Sequence, residues 1–380
     1  MSTTALPTLP EQVTAEWLSS VLNQPIKSIE TTNQVLVATT SKLFITCKYD
    51  DDDNSSKDRP SRIVVKGGFN PPLQAPLMPM LRGMYNGEVN FYSVIATLLP
   101  ANVKTPKTWW AAAEPDQGII IMDDLAASGH TFGDAEFTWP PARVRQTVEQ
   151  LAGLHVATWN RTASEPVAAT ASSPAIQAVQ YPTSQTYEFV LQGLCAMFPD
   201  LILAADRPET PKEWHSYERI IAAIKRHFAT RNPRFSCLIH GDAHVGNTYL
   251  EPVGKDEPAA DTAGLDGYRG YFLDWQTTHV GSNFHDVAYF IGGALSIEDR
   301  RKHELDIVDH YLATLAKLGG PKLSRDDPEV MKEYAKSCLA GWGWLLTPDH
   351  TQSTARVHAM VPRFVAQMQD HNTLQTIEEQ

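Results

Sequence analysis

Within His240-Gly241-Asp242-Ala243-His244-Val245-Gly246-Asn247 an aspartate precedes an asparagine by one short turn, and Phe272-Leu273-Asp274-Trp275-Gln276 brings a second aspartate at the end of a later apolar run. In that order, a carboxylate, an amide oxygen and a second carboxylate can set one base and two cation ligands around a nucleotide triphosphate. Asp242 follows the apolar strand Cys237-Leu238-Ile239 and is the candidate base that accepts the proton of an acceptor hydroxyl. Asn247 and Asp274 are the candidate metal ligands, since hard oxygens suit Mg²⁺, which keeps waters and bridges phosphates. Phosphoryl transfer asks little more of a protein than this holding, neutralising and orienting.

Two upstream residues complete the set. Lys66 ends the run Ile63-Val64-Val65, and Glu88 lies in the middle of the next helical stretch. A strand lysine can reach the α- and β-phosphates while a glutamate from the neighbouring helix fixes its ammonium.

The elements that must position these residues are legible as patterns. A short helix is expected from Pro10 to Leu22, strands over Gln34 to Tyr49 and Ser61 to Lys66, and an exposed acidic connection from Asp50 to Asp58 between them. Leu81 to Leu99 reads as a helix stopped by Pro100, its stripe formed by Met84, Val89, Tyr92, Ile95 and Leu99. A β-rich stretch follows and closes with the apolar strand Gly118 to Met122; the small residues Ala126 to Gly129 then make a crossover. Beyond Pro140-Pro141 the pattern turns helical: Val144, Val148, Leu151 and Leu154 recur at helical spacing as far as Thr158. Thr162 to Pro174 reads as an irregular connection, and further helices are expected at Ser184 to Phe198, Glu213 to Thr230, Ile297 to Leu318 and Pro328 to Leu346. The order predicts an α+β protein of two unequal lobes, a small β-rich one and a larger, mainly helical one, with a ligand cleft between them.

His240-Gly241-Asp242, Asn247 and Asp274-Trp275-Gln276 together resemble the catalytic loop and metal-binding motif of the aminoglycoside phosphotransferase and choline kinase-like superfamily, which has a protein-kinase-like fold. The likeness extends to Phe284-His285-Asp286-Val287-Ala288-Tyr289-Phe290, to Leu154-His155 and to the Lys66 and Glu88 pair, in the right order. The resemblance implies a bilobal fold, with 1–121 as the nucleotide-binding lobe, 122–129 as the interlobe linker and 130–380 as the catalytic and substrate lobe. It implies ATP and Mg²⁺ as cofactors and a small-molecule hydroxyl as acceptor. By it, Asp242 is the base, Asn247 and Asp274 are the Mg²⁺ ligands, Lys66 binds phosphate with Glu88 as its partner, and the backbone of Met122, Asp123, Asp124 and Leu125 reads adenine. Asp286 and His240 then brace the loop. One departure stands out: Gln34-Val35-Leu36-Val37-Ala38-Thr39-Thr40-Ser41 holds no glycine where a glycine-rich phosphate loop is expected. Thr39, Thr40 and Ser41 are the candidate donors in its place. Glu251 to Gly270 reads as a surface excursion.

Composition narrows the partners. A chain of 380 residues with 42% hydrophobic and 20% charged residues is an ordinary globular protein of two lobes or domains. Its formal net charge of −12 argues against nucleic acid and anionic membranes as partners. Four dispersed cysteines, an N-terminus unlike a signal peptide and no long apolar run predict a soluble, cytoplasmic protein. Neither G-x-x-x-x-G-K-[ST] nor G-x-G-x-x-G occurs. Two other functions compete with the kinase reading. His240, Asp242, His244, Asp274, His285 and Asp286 could serve a two-metal phosphohydrolase, and the whole chain could be a nucleotide-binding pseudokinase. Trp109-Trp110 and Trp342-Gly343-Trp344 read as packing residues, with an aromatic ligand platform as the minority view.

Overall fold

A computed structural model of the chain describes residues 5–37, 39–50, 58–167, 179–254, 263–349 and 351–379. Two lobes divide the described residues, as the order of patterns predicts. The smaller is an antiparallel sheet of β1 (Ser28–Val35), β2 (Ser41–Lys48), β3 (Arg62–Gly67), β4 (Thr108–Glu114) and β5 (Gln117–Asp123), in the order β1-β2-β3-β5-β4. Strand alternation gives its faces opposite duties. Leu43, Ile45, Ile63, Val65, Ile119 and Ile121 point to one side and form a core with Trp17 and Leu18 of helix α1 (Ala15–Leu22). Lys66 therefore points to the other side, level with Lys42 on β2 and Ile120 on β5.

That second face is covered beyond the short α2 (Pro71–Gln74) by α3 (Met78–Ser93), whose buried positions include Leu81, Met84, Tyr85, Glu88 and Tyr92. Their spacing is that of one helical stripe, so Glu88 is carried inward by its apolar neighbours. The expected helix over Leu81–Leu99 starts earlier and stops sooner: a separate 3₁₀ turn covers Ile95–Leu98, and Leu98 is exposed.

Helices dominate the larger lobe. After α4 (Pro141–Ala157) come α5 (Gln185–Cys195), α6 (Phe198–Ile202) and α7 (Tyr217–Ala229), then α8 (Asn283–Ala294) and α9 (Ile297–Lys317). The chain finishes with α10 (Pro328–Ser337), α11 (Trp342–Leu345), α12 (Thr354–Asp370) and α13 (Thr373–Glu378). Every residue of α8 is buried, which makes it the axis of the main core. Small strands β7 (Ser236–Ile239) and β10 (His279–Ser282) pair beside it, and β6 (Thr131–Phe132), β8 (Thr248–Pro252) and β9 (Tyr268–Phe272) form a second ribbon.

Several expected boundaries move. Gln34 to Tyr49 is the end of β1, a turn and β2 rather than one strand, and Pro10–Leu22 divides into a 3₁₀ turn and α1. Pro328–Leu346 breaks at Cys338–Gly341, where Gly341 lies hard against Phe364. The surface excursion expected over Glu251–Gly270 is an antiparallel pair at both ends. Its middle, 255–262, lies outside the described residues, as do 51–57 of the acidic connection, 168–174 of the irregular tract and Ala38.

Candidate active site

The site is built where β3, α3, the loop after β7 and the end of β9 converge. Lys66 is buried, and its Nζ lies 2.6 Å from Glu88 Oε1 and 3.0 Å from Asp274 Oδ1. Burial opposes a charged amine, but Asp274 and Glu88 outweigh it and hold the Lys66 pKa above its ordinary value. For Asp274 burial is likewise overcome, by Lys66 and then Lys42, so its carboxyl is held low. Burial pushes Glu88 up despite Lys66. Asp274 carries this arrangement on a strained backbone, at φ 67°, a conformation costing on the order of 1–3 kcal/mol outside glycine.

Opposite stands Asp242. Asn247 Nδ2 donates to Asp242 Oδ2 at 2.9 Å and to its backbone carbonyl at 3.0 Å. Both amide hydrogens are thereby engaged, and the Asn247 Oδ1 is left on the opposite edge. The Leu273 amide donates to Asn247 O at 2.9 Å, which seats Asp274 beside the asparagine. An amide oxygen and the Asp274 carboxylate thus fit a hard divalent cation.

The loop bearing Asp242 is braced from below. Asp286 accepts from the amides of His240 at 2.7 Å and Gly241 at 2.9 Å. Asn283 donates to the Tyr311 hydroxyl, which in turn donates to His155 Nδ1; His155 Nε2 then donates to Asp286 at 3.2 Å. His285 Nε2 donates to Gly241 O, and His240 Nε2 to Leu273 O. Gly241 sits at φ 84°, where a Cβ would lie 2.5 Å from Thr277 O. Only glycine fits there.

This bracing removes the phosphohydrolase arrangement. His240, His285 and Asp286 are engaged with loop backbone, and among the described residues no three His, Cys, Asp or Glu side chains gather as a metal site.

The glycine-free loop is held by other means. Thr39 O accepts from the Tyr85 hydroxyl at 2.8 Å and from Gln74 Nε2 at 3.4 Å. Thr40 Oγ1 donates to Gln276 Oε1 at 3.2 Å, two residues past Asp274. Ser41 is fully buried, its hydroxyl oxygen accepting from the Val37 amide at 3.3 Å, so it ties the turn together.

At the interlobe strand end, the amides of Asp123 and Asp124 donate to Lys107 O and Arg62 O. Their carboxylates take Trp109 Nε1 and the Arg62 guanidinium. Met122 and Leu125 flank them, half-buried. Trp110 packs edge-on against Trp17, and Trp342 and Trp344 are buried, so neither tryptophan pair is an open platform.

Three residues around the site carried no role in the sequence reading, Lys42, Gln276 and Tyr289, and a fourth, Trp344, was read there as a packing residue. Lys42 faces Lys66 in register, and burial followed by that like charge pushes its pKa down. Only its place opposite Lys66 on a neighbouring strand could have marked it. Tyr289 lies one turn beyond Asp286 on α8, and its hydroxyl is 3.0 Å from Asp242 Oδ1.

Fold and site together define a kinase-like small-molecule phosphotransferase. The chain belongs to the ecdysteroid kinase-like family, whose model matches residues 39–319. Among solved structures it resembles the amicoumacin kinase hAmiN, with 12% identity, coverage of 91% of this chain and 89% of that one, and a TM-score of 0.51. It also resembles an ethanolamine kinase from Plasmodium vivax, at 13% identity, 90% and 82% coverage and a TM-score of 0.48. The choline kinase LicA from Streptococcus pneumoniae gives 12%, 96% and 97%, and 0.46. No curated protein matches the chain.

Proposed function

We propose that the chain transfers the γ-phosphoryl group of ATP, with Mg²⁺, to a hydroxyl of a small molecule. The observation that carries this reading is the meeting of Lys66 with Asp274, 208 residues apart in sequence and 3.0 Å apart in space, next to the Asp242 and Asn247 pair. Asp242 accepts the acceptor's proton as its oxygen bonds to the γ-phosphorus; the bond from that phosphorus to the bridging oxygen breaks, and ADP departs. Lys66, fixed by Glu88, holds the α- and β-phosphates, and Lys42 adds a second cation beside them. Asn247 and Asp274 would hold Mg²⁺, which supplies charge neutralisation on the phosphates when bound. Thr39 and Thr40 cover the phosphates with Ser41 tying their turn, and the segment Met122 to Leu125 reads adenine, with the Leu125 amide at its edge, since Met122 is paired within the sheet and the Asp123 and Asp124 amides are engaged within the lobe.

The packing around the Asp242 loop is aromatic. Tyr187 stacks on His279 at 5.2 Å and meets His285 edge-on, while Trp344 packs against His244. Burial pushes His244, His279 and His285 below their ordinary values and keeps them neutral. Neutral surroundings of this kind suit an uncharged alcohol, and the family's description makes an ecdysteroid the first to try. The lobes keep the roles 1–121, 122–129 and 130–380, and buried, unbridged cysteines favour a cytoplasmic setting. Among the described residues no helix is long and apolar enough to cross a membrane.

The test is ADP release from ATP over a panel of alcohols that includes an ecdysteroid, choline and an aminoglycoside. Asp242→Ala should lower turnover at least about 100-fold while nucleotide affinity stays near that of the parent. Undiminished turnover in that variant would remove Asp242 from the mechanism, and nucleotide binding without transfer to any alcohol would identify a nucleotide-binding pseudokinase.

A further inference from the structure

Asp242 is held on both of its oxygens. The catalytic loop itself holds one, through Asn247 Nδ2 on Oδ2 at 2.9 Å. The helical lobe holds the other. Trp344 Nε1 donates to the Tyr289 hydroxyl at 2.8 Å, and that hydroxyl donates to Asp242 Oδ1 at 3.0 Å. An indole N–H can only donate, so it fixes the direction of the whole chain: Tyr289 must accept from Trp344 and turn its own proton toward the carboxylate.

We infer that Trp344 and Tyr289 form a two-step donor relay that sets the orientation of the Asp242 carboxylate for proton acceptance. They are positioning residues for the transfer, and the inference rests on the base role proposed for Asp242. Both side chains are buried, which excludes the water that would compete for the same lone pairs. Burial, followed by the neighbouring Asp242, pushes the Tyr289 pKa well above its ordinary value, so the hydroxyl keeps its proton. Each carboxylate oxygen has a second lone pair, so Asp242 can still accept from an alcohol while both anchors hold. Tyr289 also packs on Phe364 of α12, with ring centroids 5.3 Å apart, and Trp344 belongs to the short helix α11. The relay therefore registers the base against C-terminal helices that sequence alone leaves unconnected to it.

The experiment compares Tyr289→Phe, Trp344→Phe and the double variant, with Asp242→Ala as control. It reads ADP release from ATP in Mg²⁺, with an ecdysteroid as the alcohol and with water alone as acceptor. Tyr289→Phe should lower kcat about 10- to 100-fold, the usual effect of losing an orienting partner, with KM for ATP moving less than about twofold. Trp344→Phe should lower kcat less and should cost nothing further in the Tyr289→Phe background, because its N–H acts only through that hydroxyl. Trp344→His, which keeps a ring N–H, should recover part of the loss. Effects that add in the double variant would mean two packing contacts and would overturn the relay, as would a parental kcat in Tyr289→Phe while Asp242→Ala is inactive. Turnover retained in Asp242→Ala would sink the base assignment itself, a result distinct from either of these.

Discussion

Lys42 and Lys66 stand side by side on adjacent strands, yet the protein treats them differently. Lys66 touches two carboxylates, whereas burial and the like charge of Lys66 hold the Lys42 pKa down. A depressed lysine pKa means that the charged form is less favourable folded than unfolded, so at neutral pH the Lys42 charge works against stability. That arrangement makes sense where an anion is to arrive. Lys42→Met should therefore leave the melting temperature equal or higher, while ATP affinity falls about 10-fold or more, the scale of a lost hydrogen bond to a charged group. Calorimetric titration with ATP and Mg²⁺ alongside thermal unfolding would check both halves. Unchanged affinity would take Lys42 out of the phosphate site.

At the scale of elements, the loop between β1 and β2 is the clearest departure from expectation. A phosphate loop uses glycine to bring its backbone close to the ligand; here the turn is shaped from outside, by Tyr85 and Gln74 on Thr39 O. Burial raises the Tyr85 pKa to about 12, so its hydroxyl donates at every ordinary pH. Tyr85→Phe should raise KM for ATP by about 2- to 10-fold, the reach of one net hydrogen bond, with little change in kcat. An equal KM in the two proteins would show that the turn is held without that bond. The same region shows what a sequence does and does not reveal. Strand β3 was legible because Ile63 and Val65 alternate around Val64 and end in Lys66, and Asp242 and Asn247 stood out as candidates because they share one short loop, with Asp274 at the end of a later apolar run. By contrast, β1 was missed over Ser28–Asn33, since its residues are mostly exposed and polar. The helix α12 contains Pro362, which masks its period. Tyr289 and Trp344 were invisible as partners of Asp242 because only tertiary packing joins α8 and α11 to the loop.

For the molecule as a whole, the loop after β7 and the helical lobe share a buried set of neutral histidines, and this makes stability depend on pH. His279 is 2% exposed; its Nδ1 donates to Thr277 O at 2.8 Å, and Tyr187 stacks on it. Burial pushes its pKa from 6.5 down to about 3. Between those values the unfolded chain binds a proton that the folded chain refuses. Stability from this residue is thus complete above about pH 6.5 and is lost as pH falls toward 3, by about 2 kcal/mol at pH 5. His244 and His285 shift the same way for the same reason, burial, so they steepen the loss. Asp286 works in another window: burial would raise it, but the His155 hydrogen bond outweighs that and holds it at about 2. Its contribution is present above its ordinary 3.8 and disappears only as pH falls from there toward 2. Urea unfolding at pH 7.5 and pH 5.0 separates the two. The parent should lose at least about 2 kcal/mol between these conditions, and His279→Gln, which keeps a polar group but cannot take the proton, should lose about 2 kcal/mol less. Identical losses in the two proteins would mean that His279 protonates freely in the folded state, and that the packing of Tyr187 over it does not exclude the charge.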